Sequence, residues 1–588
     1  MDLQDKDHDV SNRNELLMSY ESGNFLETVY ARLLADQNDH NALTMQLVAL
    51  HNEGLIDVVR AFEVLKSKSL NGPDFFLTRH VFEKALPDLD AQVTSVMRCV
   101  LQLYRDAGQD VVAGTIIESF TDFCTKEPPR PREALKEIEA NPDEFADLLP
   151  AALIAGSRID NPLYLIEAIR LCEDKNIELR RRAVFSVGKL SWPKGTSMSD
   201  SALAALEHSA AVETDDQILA GIVNSSFALL LHNKSEEPRV IALIASAVAK
   251  GDEYALHAAS MLFGFHTSEF SVSLLDVLLV NLVRVKSTSK GTLDNIDFGI
   301  SHLLKKDDPD QTIQFLEDLL LKHANELTIK VFDSVVREIL SNKSLISKVL
   351  TRWFLRGDRI LCESVHTIIG THHGDDLSLE IDPAELKPAD CVHILFVARK
   401  AIGFLFMNPI SAASILISLM RHTTDDEIST KLGELLFDPL LLNFTGKVRE
   451  YVLKQSGIES GKVKETIDKA LKAVDDYLDL LRSVGNLAAL HPGEVQREAH
   501  HRHFSRLMAE SCKAAEAQSV FLNLVSKSVL LYGRKSINYV YGSDGQSHRM
   551  EIPLQSHGTE MEFPRMQNID PHGLDYMLRI FRSEHIRI

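Results

Sequence analysis

Apolar residues recur at three- and four-residue steps along most of this chain, the spacing that lines one face of an α-helix. The clearest stretch is NIELRRRAVFSVGKL, which begins at Asn176. Counting from Asn176, Leu179 stands at +3, Ala183 at +7, Val187 at +11 and Gly188 at +12. Asn is a residue type that caps helix starts. A small residue at +12 lets a neighbouring helix approach closely.

The same frame returns. Asp216 leads to Leu219, Val223, Phe227 and Ala228; Asp252 to Ala255, Ala259, Phe263 and Gly264; Asp358 to Leu361, Val365, Ile369 and Gly370. Weaker copies start near Leu293 (Ile296, Ile300, Leu304) and Thr328 (Val331, Val335, Ile339). Successive anchors lie 40, 36, 41, 35 and 30 residues apart. Each interval leaves room for one more helix, such as NPLYLIEAIRLCED (161–174), whose Asn-Pro is a helix-start signal. Paired helices at this period predict an α-solenoid.

The block at 176–188 resembles the second helix of a HEAT repeat. In that family an Asp or Asn is followed by an apolar residue, Arg, Ala and an apolar-Gly pair. Here these are Asn176, Leu179, Arg180, Ala183 and Val187-Gly188. The later copies depart at the arginine, carrying Ala220, Leu256, Asp297, Phe332 and Cys362 instead. The resemblance covers about 160–370 and implies stacked helix pairs with a long surface for another protein.

The predicted fold is therefore mainly α, an α-solenoid of HEAT-like helix pairs over 136–456. A helical region (1–125) precedes it, and a Pro-rich linker (126–135) holds Pro128, Pro129 and Pro131, which interrupt helix. The apolar segment 392–422 suits a helix pair buried between neighbours. Residues 457–534 read as a long helix followed by a His/Arg-rich helical region. The end of the chain changes period. KSINYVY (535–541), SHRMEIPLQ (547–555) and EMEFP (560–564) read as a small β-meander, the first turn being Gly-Ser-Asp-Gly. A terminal helix follows, opened by Asp570-Pro571.

Charge separates two regions. The formal net charge is −21, from 63 Lys+Arg and 84 Asp+Glu. Only 12 of the basic and 11 of the acidic residues follow residue 493, so 1–493 carries the whole acidic excess. Such a body repels phosphate backbones, which disfavours nucleic acid as its partner. The six cysteines form no CxxC pair, as expected of reduced thiols in a cytoplasmic protein. No apolar run reaches the roughly 18 residues of a membrane span, so no membrane partner is expected.

Chemistry is sparse. No phosphate loop, nucleophile elbow or zinc spacing is present, and neither cofactor nor metal is expected. The stretch QREAHHRHFSRLM (496–508) packs three arginines and three histidines into thirteen residues. Arg497 and His503 resemble the Arg-x4-6-His pattern of HEPN-type ribonucleases, which would imply acid–base catalysis by His503 and charge stabilisation by Arg497. On one helix, however, six steps turn them about 120° apart. Glu498 also departs from the small polar residue or histidine that follows the arginine in that family. Arg497, His500, His501 and Phe504 instead share a face with Met508, Cys512 and Ala515, which predicts a partly buried partner-binding surface, with glutamates of 460–484 as partners. The His366, His372, His373, Asp375 and Asp376 cluster reads as an inter-helix loop. The expected function is a non-enzymatic cytoplasmic scaffold or adaptor for another protein. The alternatives are an effector with HEPN-like ribonuclease activity at Arg497 and His503, and a nucleic-acid-binding solenoid.

Overall fold

In a computed structural model the chain is mainly α-helical, with many helices packed one after another. It describes residues 3–35, 40–67, 74–108, 110, 112–192, 198–306, 308–324, 326–372, 377–386, 391–485, 493–518, 535–541, 547–553 and 562–586. Two compact units are present, Met1–Ser341 and Asn342–Ile588. Their division falls within the 136–456 span, where Asn342 caps a new helix by accepting from the backbone N–H groups of Ser344 and Leu345.

In the first unit, helix α1 (Asn161–Cys172) packs on α2 (Ile177–Val187), α3 (Met198–Val212) on α4 (Asp216–His232), and α5 (Glu237–Lys250) on α6 (Glu253–Phe265). The first helices of successive pairs touch, α1 to α3 to α5 to α7 (Val272–Leu282). So do the second helices, α2 to α4 to α6, then α8 (Lys290–Leu303) and α9 (Asp333–Ser341). This is a helical-repeat-like arrangement. The +3, +7 and +11 residues of α2, α4 and α6 are all buried. Burying each such leucine- or phenylalanine-sized side chain contributes about 1.5–3 kcal/mol.

The small residue at +12 acts where two second helices cross. A Cβ on Gly188 would lie 2.5 Å from the Ser225 Cα, and the Gly188 N–H donates to Ser225 Oγ at 3.1 Å. A Cβ on Gly264 would lie 3.0 Å from the Asn295 carbonyl oxygen. Gly370 has no such neighbour among the described residues.

The anchors behave less uniformly than their spacing suggests. Asn176 caps α2 through Glu178 and Leu179 N–H. Asp215, not Asp216, caps α4. The Asp216 carboxylate reaches the next second helix instead and accepts from Asp252, Tyr254 and Ala255 N–H at 2.7, 2.6 and 3.2 Å. Asp297 does the same one step on, accepting from Ser334 and Val335 N–H at 3.0 and 2.9 Å. The copy at Thr328 does not form as expected: Ile329–Val331 is a 3-10 turn, Val331 is exposed, and helix begins only at Asp333.

The expected linker 126–135 is a packed junction. Helix Thr115–Lys126 ends at Glu127, and the next helix, Pro129–Ala140, starts on the prolines, which a first helical turn tolerates. The Arg130 guanidinium fastens it, donating to the Phe123 and Leu89 carbonyls at 3.1 and 3.0 Å.

In the second unit, α10 (Cys391–Leu405) packs on α11 (Pro409–Arg421), which is buried at every residue from 410 to 420. The long helix α12 (Gly461–Val484) buries Ile467, Ala470 and Val474 and is exposed at Leu480 and Leu481. Then come α13 (Glu494–Gln518), an antiparallel hairpin pairing Lys535–Tyr541 with Ser547–Pro553, and α14 (Pro571–Ser583), capped by Asp570. The third meander strand is not formed at 562–564, where Glu562 accepts from Gly446 and Lys447 N–H at 2.7 and 2.9 Å. The rest of it, 560–561, lies outside the described residues.

Candidate functional site

The His/Arg-rich stretch lies in α13, a continuous helix with no kink to bring Arg497 and His503 together. Every side chain described on it is exposed, including Arg497, His500, His501 and Phe504. The partly buried surface expected here is thus a solvated one among the described residues. Its ion pairs run along its own axis, Arg502 to Glu498 at 3.4 Å and Arg506 to Glu510 at 3.9 Å, in place of the expected pairing with α12, whose one glutamate is Glu465. The His501 ring nitrogen meets Ser505 Oγ at 3.0 Å. The Phe504 and Phe563 rings meet edge to face at 5.2 Å. In the second cluster His372 is exposed, and His373, Asp375 and Asp376 lie outside the described residues. Among the described residues no group of three or more His, Cys, Asp or Glu side chains could hold a metal ion. Nor is any described helix long and apolar enough to cross a membrane.

A more continuous feature, absent from the sequence reading, runs over the second helices of the first unit. On α6, Tyr254, Met261 and Phe265 point away from the buried 255/259/263 stripe, and Tyr254 and Phe265 are 56% and 57% exposed. At 100° per residue they fall within about 40° of each other. Phe298 of α8 extends the row, its ring 5.5 Å from that of Phe265, and His302 closes on Phe298 at 4.5 Å. The row is held because α6 and α8 pack closely. Gly264 lies against Asn295, Asn295 donates to Ser260 at 3.1 Å, and the His257 ring nitrogen meets Thr292 at 3.0 Å. The signal was available: two aromatics and a methionine, at +2, +13 and +9 of Asp252, form a second apolar stripe apart from the core stripe.

Toward the N-terminal end of the same unit, a cleft of about 630 Å³ is lined by Tyr104, Glu118, Phe185 and Lys189. Its other charges are matched, Arg158 to Asp122 at 2.9 Å and Arg182 to Asp147 at 2.6 Å. Burial holds the Lys189 ammonium below the usual lysine range, with Glu118 opposing, and it sits 4.1 Å from the centre of the Phe185 ring. No base, nucleophile and orienting group converge there. The buried thiols of Cys124, Cys172 and Cys362 are pushed up to about 12 by burial, which leaves them protonated and inert.

No family model matches this chain, and no curated protein matches it. The crystal structure of an engineered protein from the Northeast Structural Genomics Consortium aligns with 79% of this chain and 99% of its own, at 13% identity. The TM-score is 0.21, too low to equate the two folds.

Proposed function

We propose that the chain is a HEAT-type α-solenoid scaffold or adaptor, non-enzymatic and cytoplasmic, that docks another protein along its second helices. The observation that carries this reading is the exposed row Tyr254, Met261, Phe265 and Phe298, continuous across two helices. Single exposed apolar residues are ordinary on protein surfaces, whereas contiguous patches mark interaction sites. Aromatic side chains also dominate the energetic centres of protein interfaces. The acidic excess of 1–493 favours a partner whose surface is basic or mixed in charge. Crosslinking in native extract, with the modified positions read by mass spectrometry, tests the reading. Crosslinks to a partner should cluster around 254–302, and Phe265→Glu with Phe298→Glu should reduce them at least tenfold. Partner crosslinks confined to other surfaces would overturn it.

A further inference from the structure

The end of the chain folds back on α10 through contacts that together read the last turn of a helix. Lys400 is fully buried, with its ammonium 5.1 Å from the Phe396 ring centre, and it donates to the Arg582 carbonyl at 2.6 Å. That carbonyl is one of the unsatisfied acceptors at the negative end of α14. Arg399 grips the Glu584 carboxylate in two bonds of 2.7 and 2.6 Å. In return, Arg582 Nε donates to the Gly403 carbonyl at 2.5 Å. Gly403 permits this approach, since a Cβ there would lie 3.1 Å from Phe581 Cβ and 3.2 Å from the Arg582 nitrogen. With the helix end in place, the Arg582 carbonyl gives the covered Lys400 ammonium its acceptor, so docking does not leave that cation buried and unpaired.

The segment that fills this groove is pinned by polar contacts at its last turn but buries few apolar side chains. Of α14 only Leu574 and Leu578 are buried, while Tyr576 is 69% exposed. Elements with few buried apolar contacts open locally before the core does. The groove below is deep in the second unit, with Phe396 and Lys400 among its most buried large side chains. The two sides differ in burial, as a site and a removable occupant would.

We propose that the outer face of α10 is a docking groove for a helix C-terminus, filled in this structure by the chain's own C-terminal segment acting as a strap. Its other occupant is a partner's amphipathic helix with the same chemistry: two leucines one turn apart, an aromatic three positions on, and a carboxylate three beyond that. The pattern is Leu574, Leu578, Phe581 and Glu584 in this chain. This groove is independent of the aromatic row on α6 and α8.

The full chain serves for the test. A fluorescein-labelled peptide of residues 568–586 is titrated against the parent and against Leu574→Asp/Leu578→Asp, in which the strap is released and the groove left intact. Fluorescence polarisation should give at least tenfold tighter binding to the released variant. Adding Arg399→Glu should reverse that gain, and a peptide carrying Glu584→Arg should recover part of it. If the leucine variant does not fold, Glu584→Arg in the full chain replaces it. Hydrogen exchange of the parent needs no variant: amides of 571–583 should exchange at least tenfold faster than those of 391–405. Equal protection of the two segments, or equal peptide binding by parent and released variant, overturns the proposal. So does a dimer in which one copy's strap fills the other's groove.

Discussion

The two units differ in the longest distance over which they close their structure. In the first, polar contacts that join one helix pair to the next span nearly one repeat length. Asp216 reaches the start of α6 across 36 to 39 residues, Asp297 reaches α9 across 37 and 38, and Arg181 pairs with Asp215 across 34. The second unit has contacts of that span too, such as Ile381 to Ser418 across 37 residues, but those that hold the last turn of α14 span 179 to 185. A stack in which each layer braces only its neighbour gains stability layer by layer. A long-range strap contributes nothing until the whole unit has formed, because loop closure must come first. The first arrangement leaves a period in the sequence, and the second leaves none.

The largest test of the layered unit is its core. Phe263 is fully buried at the point where α6 meets α8, and it also packs edge to face on Phe315 at 5.9 Å. Phe263→Ala should cost about 3–5 kcal/mol, through lost burial and the cavity left behind. Urea unfolding of the full chain should show a transition of the first unit moved to lower denaturant, with a second-unit transition unmoved. A single transition that shifts as a whole would break the comparison, since the units would then unfold as one.

The next effect is smaller and separates cross-helix capping from ordinary capping. Asp297 is 8% exposed and caps a helix other than its own. Asp297→Ala should cost about 1–2 kcal/mol, the usual range for a lost N-cap. Proteolysis or hydrogen exchange should place the damage at the start of α9, not within α8. Damage confined to α8 would mean that the carboxylate braces only its own helix.

Much of the first unit was legible because its cause is local. The +3, +7 and +11 positions are set by helical geometry alone, and Leu179, Val223 and Phe263 are buried as their spacing predicts. What failed was the assignment of partners. Asp215 and Asp216 are adjacent and chemically identical, so nothing local tells which caps α4 and which reaches α6. Val331 has the right spacing but sits on a 3-10 turn, where a helical count does not apply. The helix of α13 forms, but the partly buried face expected on it is exposed: an amphipathic pattern does not specify what covers it, and Phe563 is the ring that Phe504 meets. The strap was out of reach: Arg399 and Lys400 read as two adjacent basic residues in an apolar run, and the acceptor of Lys400 stands 182 residues later.

Acid should sharpen the comparison further. The Asp215 carboxyl is held below its ordinary value, chiefly by hydrogen bonding from Arg181. A depressed folded-state pKa contributes stability that is complete above the unfolded value and is lost as pH falls through the folded one. The α2–α4 contact should therefore weaken only below the ordinary carboxylate range. Arg181→Ala should remove about 1 kcal/mol at neutral pH and flatten that acid dependence. The measurement is stability against pH for parent and variant. Parallel curves would show that the pair does not couple these helices.

The smallest expected effect lies in α13. Arg497 and His503 are exposed, and no described neighbour depends on them for burial or capping. Arg497→Ala and His503→Ala should each change stability by under about 0.5 kcal/mol, as surface changes away from caps and cores do. That near-neutrality makes the pair informative. Because neither change perturbs the fold, a loss of RNA cleavage or of partner binding in either variant would report on chemistry at α13 itself. A loss of stability above about 1 kcal/mol would instead show that the helix is covered by something that it holds in place. Thermal unfolding with both assays on the same samples separates the two outcomes.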